Sequence, residues 1–590
     1  MPKQKQDTNK PKHFKKTLKE LFSSLKKYQL AILLAVLVSA SSSIVSIFVP
    51  KILGEMTNVA VSTYPEIDFS TIGEKAILIL VLLVVMSALS YVEGVILAIV
   101  SARYTENLRN KIIDKINRLP IAYFDKHQYG DTLSLMTNDV DNLTTSLSQE
   151  ITNLVSHLTT LVGMMVMMLT ISVPLSLIAF IVIPVSVVTI GKITSLAQKY
   201  FTARQLTLGE LDGRIEEDYS GGIIIKANSY EPEAIAKFGE VNEKLATTTR
   251  KAQFYSILSF PATHIITNLA YVAVAAVGGV FVVERKISIG DIQAFIQYVS
   301  NFNHPITEIA SSMSTVQGIF ASAERIFDFL AEPEEEPDAE NALTIESVKG
   351  AVEFHDVSFS YDKKTPVIRN FSAKIEPGMQ VAIVGPTGAG KTTMINLLMR
   401  FYEPDSGYIT IDGVPIREMR RSDVRKLFGM VLQDTWLFSG TVEENLKYGK
   451  PSATLEDVKQ ASKASNAYHV IEALPNGYKA EISEDSDNIS AGEKQLVTIA
   501  RAMVANPPMM ILDEATSNVD TRTEQLIQDS FEKLMKKRTS FVIAHRLSTI
   551  RNSDLILVMR DGNIVEQGNH DELLKLGGFY AELYNSQFQE

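Results

Sequence analysis

A stretch of roughly 40 residues without a charged side chain is the strongest constraint on this chain, because that length exceeds one membrane crossing. The stretch covers residues 151–191. About 20 apolar residues in a helix cross the hydrocarbon core of a bilayer, so two spans fit, with a tight turn at Ser172, Val173 and Pro174. Buried helices of a soluble core are the alternative, but uncharged runs of this length favour the membrane.

Four further apolar runs complete the prediction of a six-span α-helical transmembrane domain. They cover residues 30–50, 77–100, 254–283 and 289–316. Glu93 is the single charge of the second run, and the last run, which is more polar, contains Glu308. Ionisable groups inside membrane runs are candidates for a functional site. Either carboxylate could contact a cationic substrate or form hydrogen bonds inside the helix bundle.

The basic residues predict the orientation. Nine lysines precede the first run, whereas Lys75 is the only basic residue of the loop at 55–76. The positive-inside bias therefore predicts a multi-pass plasma-membrane protein with a cytoplasmic N-terminus. The long basic segment and the extended apolar run do not fit a cleavable signal. The long, charged connections at 101–150 and 192–253 predict helical extensions into the cytoplasm.

Composition excludes several classes of protein. The net charge of −11 argues against a nucleic-acid partner. The chain has no cysteine, which excludes disulfides and thiolate metal sites. An acidic, proline-containing stretch at 332–338 predicts a domain linker, and short β-branched runs alternate with helical ones after it. We predict a basic N-terminal segment (1–29), the transmembrane domain (30–331), a linker (332–349) and an α/β domain with a mixed sheet (350–590).

A glycine-rich loop after the predicted strand 380–384 and before the predicted helix 394–401 matches the P-loop pattern in its required context. Its backbone N–H groups can surround phosphates, the Lys391 ammonium can reach the β- and γ-phosphates, and the Thr392 hydroxyl can bind Mg²⁺. The sequence therefore predicts ATP and Mg²⁺ as cofactors. The candidate loop residues are Gly385, Thr387, Gly388, Ala389, Gly390, Lys391, Thr392 and Thr393.

A carboxylate pair ends the apolar run that begins at Met509. Asp513 at the end of a strand can bind Mg²⁺ through water, and Glu514 can orient or deprotonate the attacking water. The alternative is a carboxylate pair that faces solvent without a function. The P-loop pattern in the same domain makes this alternative the weaker one.

Six spans followed by this α/β P-loop nucleotide-binding domain, with the motifs in this order, resemble a half-transporter of the ABC (ATP-binding cassette) exporter family. The resemblance implies that Tyr361 in "FSYD" stacks on adenine. It implies that Gln433 in "MVLQD" links Mg²⁺ and the attacking water to the membrane domain. Asp520 in "SNVD" corresponds to the D-loop aspartate, and His545 in "IAHRLST" to the histidine that contacts the γ-phosphate. A core role for Tyr361 or His545 is the alternative.

Two cytoplasmic segments resemble the coupling helices of the family, at 118–131 ("RLPIAYFDKHQYGD") and at 220–238. The resemblance implies that both contact nucleotide-binding domains, the second usually that of a partner chain. Closure of the ATP-loaded domains must move the spans, which requires rigid connections of this kind.

The family's signature Leu-Ser-Gly-Gly-Gln is replaced here by Ile489-Ser490-Ala491-Gly492-Glu493. In the family this motif binds the γ-phosphate of the other chain's ATP. Ser490 and Gly492 keep the hydroxyl donor and the close backbone approach. Ala491 adds a methyl group, and Glu493 adds a carboxylate that disfavours polyphosphate. Neutral variation is the alternative to a functional change.

Asymmetric members of the family pair such a chain with a partner whose signature is intact. The resemblance therefore implies a heterodimer with two unequal ATP sites. The consensus site would contain Lys391, Asp513, Glu514 and His545 of this chain. The degenerate site would contain its Ser490 and Gly492.

The predicted function is ATP-driven export of small amphipathic, multidrug-like compounds across the plasma membrane, with the lipid bilayer and the substrate as partners. The Met-rich stretch 164–168 is either an adaptable binding surface or ordinary packing. A lipid or peptide exporter, a homodimer, and an ATP-gated channel or regulator are the remaining readings.

Overall fold

The chain folds into two compact units. The computed structural model describes residues 13–345, 347–433, 435–482, 489–513, 520–543 and 547–588. The first unit runs to Arg118 and from Gln128 to Pro333. The second consists of Leu119–His127 together with the chain from Glu334 onward. The short segment Leu119–His127 therefore belongs with the later unit, although earlier residues surround it in sequence.

The first unit is helical, and α4, which lies in Leu119–His127, belongs to the second unit. The helices are α1 (Phe14–Leu25), α2 (Gln29–Ser62), α3 (Phe69–Ile116), α4 (Ile121–Lys126), α5 (Tyr129–Ser134), α6 (Leu147–Ile171), α7 (Val173–Phe180), α8 (Val182–Ser220), α9 (Gly222–Ala227), α10 (Glu231–Val283), α11 (Ile289–Asn301) and α12 (Asn303–Ala331). Two π-helical segments, Leu135–Asp139 and Asn142–Ser146, precede α6.

Within the described residues, four helical stretches are long and apolar enough to cross a membrane. They are Gln29–Ser62, Phe69–Ile116, Tyr129–Ile171 and Glu231–Val283. The predicted count of six spans is therefore not confirmed. The fourth predicted span is divided between α7 and α8 at Ile181, and the sixth between α11 and α12 at Phe302. Neither lies in a single long apolar helix.

The turn expected near residues 172–174 lies between α6 and α7. Ser172 has extended backbone angles (φ −160°, ψ 113°). Pro174 occupies the first turn of α7, where its missing N–H costs no helical hydrogen bond. The proline thus starts the new helix instead of interrupting one.

The second unit contains two main sheets and a helical layer. Its strands are β1 (Val352–Phe359), β2 (Ile368–Ile375), β3 (Gln380–Val384), β4 (Ser406–Ile411), β5 (Val414–Pro415), β6 (Phe428–Val431), β7 (Gly440–Thr441), β8 (Glu481–Ile482), β9 (Met509–Asp513), β10 (Thr539–Ile543), β11 (Leu555–Arg560) and β12 (Asn563–Gly568). Its further helices are α13 (Lys391–Leu398), α14 (Arg421–Lys426), α15 (Val442–Lys447), α16 (Leu455–Ala464), α17 (Tyr468–Ala473), α18 (Ala491–Ala505), α19 (Thr521–Met535), α20 (Leu547–Arg551), α21 (His570–Leu576) and α22 (Phe579–Phe588).

The larger sheet has the order β12-β11-β3-β10-β9-β6, and the five strands from β11 to β6 run parallel. A parallel sheet covered on both faces needs continuous apolar strands, which explains why β3 and β9 lack alternation of polar residues. Alternate residues of β3 enter two different cores: Val381 and Ile383 one, Ala382 and Val384 the other. The smaller antiparallel sheet has the order β2-β1-β4-β5.

Candidate nucleotide-binding site

The larger sheet places the candidate ATP-site residues together at the carboxyl ends of its parallel strands. β3 ends at Val384 and β9 ends at Asp513, with β10 between them in parallel register. In open parallel sheets, ligands bind in the crevice outside the carboxyl ends of the strands. The loop after β3 and the carboxylate at the end of β9 therefore open onto the same crevice.

The loop after β3 has the backbone of a phosphate cradle. Gly388 has a φ of +83°, and an added Cβ there would meet open space. Gly390 has a φ of +99°, and its Cβ would lie 2.7 Å from Ile368 Cδ1. The left-handed conformation therefore favours glycine at 390. The backbone at Gly388 is therefore open to a ligand that approaches the loop.

The helix after this loop begins earlier than the sequence predicted. α13 starts at Lys391, with Gly390 as its N-cap, and not at Met394. The first turn therefore carries Lys391, Thr392 and Thr393, with Thr392 exposed and Thr393 buried. The positive end of the helix dipole adds to the attraction of the loop for phosphate.

Lys391 lies across the mouth of the loop. Its ammonium donates hydrogen bonds to the carbonyl oxygens of Gly385 (2.8 Å) and Pro386 (3.1 Å). Burial lowers the pKa of Lys391, and the negative charge of Asp513 partly opposes that effect. A half-buried cation beside an open loop of backbone N–H groups fits the phosphates of ATP.

Three predicted Mg²⁺ ligands lie at this edge. Asp513 is half-buried at the end of β9, and Thr392 is exposed in the first turn of α13. Gln433 is exposed just beyond β6, which pairs with β9 through Val431 and Leu512. A carboxylate, a hydroxyl and an amide oxygen fit Mg²⁺ that is held mainly by phosphates and water.

Two predicted catalytic residues, Glu514 and His545, lie outside the described residues. Asp520 is described, and it caps α19 by accepting hydrogen bonds from the N–H groups of Arg522 and Thr523. These bonds, with Thr523 contributing most, lower the pKa of the Asp520 carboxyl. Asp520 therefore has a structural role in starting α19 in addition to any contact across a chain interface.

The predicted adenine contact, Tyr361, lies beside the P-loop helix. Its hydroxyl is 3.1 Å from the Thr393 hydroxyl, and its side chain is 40% exposed. The rings of Phe359 and Tyr402 contact it edge-on, with centroids 4.9 Å and 5.0 Å away. The tyrosine is thus held in place by neighbours while part of its surface remains open for a base.

The altered signature lies on a different element, the start of α18. Ser490 is the N-cap and exposed, and Gly492 is buried in the first turn. The Glu493 carboxylate accepts hydrogen bonds from both the N–H and the hydroxyl of Ser490, each at 2.8 Å. This arrangement is a capping box. Its Ser-x-x-Glu spacing is visible in the sequence, but the box was not among the predictions.

The two membrane carboxylates lie on different helices. Glu93 lies on α3 and Glu308 on α12, both half-buried. One turn before Glu308, the His304 ring lies 5.8 Å from the ring of His157 on α6. This histidine pair was not predicted from the sequence. The four-residue spacing of His304 and Glu308, which places both on one face of a helix, was the available indication.

Comparison with known proteins agrees with this architecture. Residues 32–306 match the model of the ABC transporter transmembrane region, and residues 368–517 match that of the ABC transporter domain. A "Fatty acid ABC transporter ATP-binding/permease protein" of Mycobacterium bovis is 47% identical, over 88% of this chain and 82% of its own length. An "ATP-dependent lipid A-core flippase" of Desulfotalea psychrophila is 34% identical, over 97% and 100%. A "Putative multidrug export ATP-binding/permease protein" of Bacillus subtilis is 33% identical, over 97% and 99%.

Proposed function

The chain belongs to the ABC transporter family, and we propose that it exports amphipathic compounds as one half of a heterodimer. As an exporter half-transporter, it couples ATP hydrolysis to transport. In this proposal the assembled transporter has one consensus and one degenerate ATP site. The chain is a multi-pass membrane protein with a cytoplasmic nucleotide-binding domain.

One observation carries the proposal of unequal sites, the contact between Glu493 and Ser490. The Ser490 hydroxyl, which a signature motif offers to the γ-phosphate, donates to the Glu493 carboxylate instead. A phosphate that approaches Ser490 must displace this carboxylate or tolerate its charge at close range. The signature of this chain therefore binds a partner's ATP weakly.

The other site, built on this chain's own P-loop, keeps the groups needed for hydrolysis. We assign the γ-phosphate contacts to Lys391 and His545 and the orientation of water to Glu514 and Gln433. Bound Mg²⁺, held by Thr392, Asp513 and Gln433, would neutralise the phosphate charge. Phosphoryl transfer depends on such positioning and electrostatics more than on covalent chemistry with the protein.

The exposed surface of α9 supports a partner chain. Ile223 and Ile224, in the second segment that resembles a coupling helix, are 86% and 70% exposed. Adjacent exposed isoleucines in a cytoplasmic connection mark a contact surface. A nucleotide-binding domain from a second half-transporter would cover them.

The relatives' names favour substrates with long apolar chains. One relative is named for fatty acids and another for a lipid. A groove of about 520 Å³ between α2 and α6 is lined almost entirely by apolar side chains, including Ile47, Val162 and Met167, which suits such a substrate. We therefore propose lipid-like amphiphiles as the substrates. Glu93 and Glu308 are candidate contacts only for a cationic head group, because carboxylates repel an anionic one.

Transport in inverted membrane vesicles tests this function. We expect vesicles containing the coexpressed pair to accumulate a fluorescent long-chain fatty acid when ATP is added. Glu514→Gln should lower ATP-dependent accumulation by roughly 100-fold or more, because a positioned base contributes that much. Uptake that persists in this variant would indicate an ATP-gated channel, and accumulation of a cationic dye alone would favour multidrug export.

A further inference from the structure

The P-loop helix is followed by a short turn, 400–403, that is hydrogen-bonded to it. The Arg400 N–H donates to the Leu397 carbonyl and the Phe401 N–H to that of Asn396. Arg400 is 5% exposed and has a φ of +53°. Its guanidinium donates to the Glu403 carboxylate at 2.7 Å and to the Met419 carbonyl at 2.6 Å. The position of Tyr402 is therefore fixed relative to α13.

Tyr402 contacts both the ring of Tyr361 and the carboxylate of Asp125. Its ring meets the ring of Tyr361 edge-on, at 5.0 Å and an interplanar angle of 88°. Its hydroxyl donates a hydrogen bond to the carboxylate of Asp125 in α4. Burial and the nearby Asp125 carboxylate raise the pKa of Tyr402, so the phenol remains a donor throughout the physiological range. One side chain thus joins the candidate adenine contact to Leu119–His127.

Arg421 of α14 connects the same turn to the linker that follows the membrane domain. Arg421 donates to the Glu336 carbonyl at 2.6 Å and to the Asp338 carboxylate at 2.9 Å. It also contacts the Glu403 carboxylate at 3.3 Å. Two segments that adjoin the membrane domain in sequence, Leu119–His127 and the linker, are therefore attached near one turn.

We propose that Tyr402 is a positioning residue that transmits occupancy of the adenine contact at Tyr361 to Leu119–His127 through its hydrogen bond to Asp125. The phenol has no role in holding phosphate or in the reaction. A nucleotide that orders Tyr361 restrains the Tyr402 ring, and the hydrogen bond carries that restraint to α4. The inference rests on the proposed contact of Tyr361 with adenine.

The absence of cysteine allows a direct measurement. Lys126 is exposed at the end of α4, so Lys126→Cys in the full-length transporter takes a single bimane label. We expect ATP to change its fluorescence. In Tyr402→Phe, which keeps the ring, that change should fall by roughly tenfold or more, as loss of a hydrogen bond to a charged group predicts. The KM for ATP should stay within about twofold, since the ring contact remains.

Two further variants make the test specific. Asp125→Ala should reproduce the effect, and the double variant should lose no more than either single one, because coupled residues are not additive. Tyr408→Phe is the matched control, since Tyr408 stacks on His355, and it should respond like the wild type. An unchanged response in Tyr402→Phe, or additive losses in the double variant, would overturn the inference.

The premise is tested separately. Tyr361→Ala should raise the KM for ATP roughly tenfold, as loss of base stacking predicts. An unchanged KM in Tyr361→Ala would reject the adenine contact. If Tyr361→Ala raises the KM but Tyr402→Phe gives a normal label response, only the role of Tyr402 is rejected.

Discussion

At the scale of single residues, Glu493 combines two opposing effects. As the third residue of α18 it completes a capping box, an arrangement that stabilises a helix start by about 0.5–2 kcal/mol. As a carboxylate that accepts a hydrogen bond from the Ser490 hydroxyl, it would oppose a phosphate bound at the same place, as proposed above. A glutamine can complete the same box without the charge. The charge is therefore not needed for folding, and its effect on ATP can be measured alone.

Glu493→Gln should strengthen ATP binding at the degenerate site by roughly tenfold, because a unit charge near phosphate costs more than 1 kcal/mol even when screened. The helix start should be unaffected. Equilibrium binding of a fluorescent ATP analogue to the assembled transporter measures this change.

Asp457→Asn provides the matched control for Glu493→Gln. Asp457 completes the capping box of α16 with Thr454, so the same chemical change occurs at an unrelated helix start. ATP affinity should not change in this control. Equal ATP affinity in Glu493→Gln and the wild type would indicate neutral variation of the signature.

At the scale of elements, the start of α11 is fixed against α2 by a close backbone approach. An added Cβ at Gly290 would lie 1.8 Å from the Gly54 carbonyl oxygen. The Gly290 N–H donates to Asn58 at 2.7 Å, and Asn58 donates to Ser288 at 2.8 Å. Small residues allow membrane helices to pack at such distances, and the polar side chains fix the register.

Gly290→Val should therefore force α2 and α11 apart and destabilise the first unit by about 1–3 kcal/mol, the usual cost of overpacking. Gly279→Val in α10 is the control, since a Cβ at Gly279 meets nothing within 4 Å. Thermal unfolding in detergent compares the two. Equal melting temperatures would contradict the close packing at Gly290.

The sequence predicted elements well where local pattern decides them. The run 380–384 is β3 as predicted, and the predicted strand from Met509 is β9. Loop chemistry identified the P-loop, but the start of α13 was placed three residues late, because the phosphate-binding side chains themselves form its first turn. Apolar length alone predicted a fourth and a sixth span, and the residues of each belong to two consecutive helices that meet at Ile181 and at Phe302.

Contacts between residues distant in sequence were not predictable. Nothing local to Tyr402 indicates its hydrogen bond to Asp125, which is 277 residues away. The contact of His157 with His304 likewise depends on the packing of α6 and α12. By contrast, the Ser490–Glu493 box is local, and its spacing could have been read directly.

At the scale of the whole molecule, the proposed assembly has two ATP sites, and each uses the P-loop of one chain and the signature of the other. Two copies of this chain would place Glu493 at both sites. One copy with a partner of intact signature would leave Lys391 and Glu514 in a site free of that charge. The two assemblies should therefore differ sharply in activity.

The most direct test is to purify this chain alone and with a coexpressed half-transporter that has an intact Leu-Ser-Gly-Gly-Gln signature, and to measure ATP hydrolysis against ATP concentration. We predict weak, non-cooperative hydrolysis by the chain alone. With the partner, we predict restored hydrolysis that Glu514→Gln abolishes. Full, cooperative hydrolysis and transport by this chain alone would contradict the heterodimer with unequal sites.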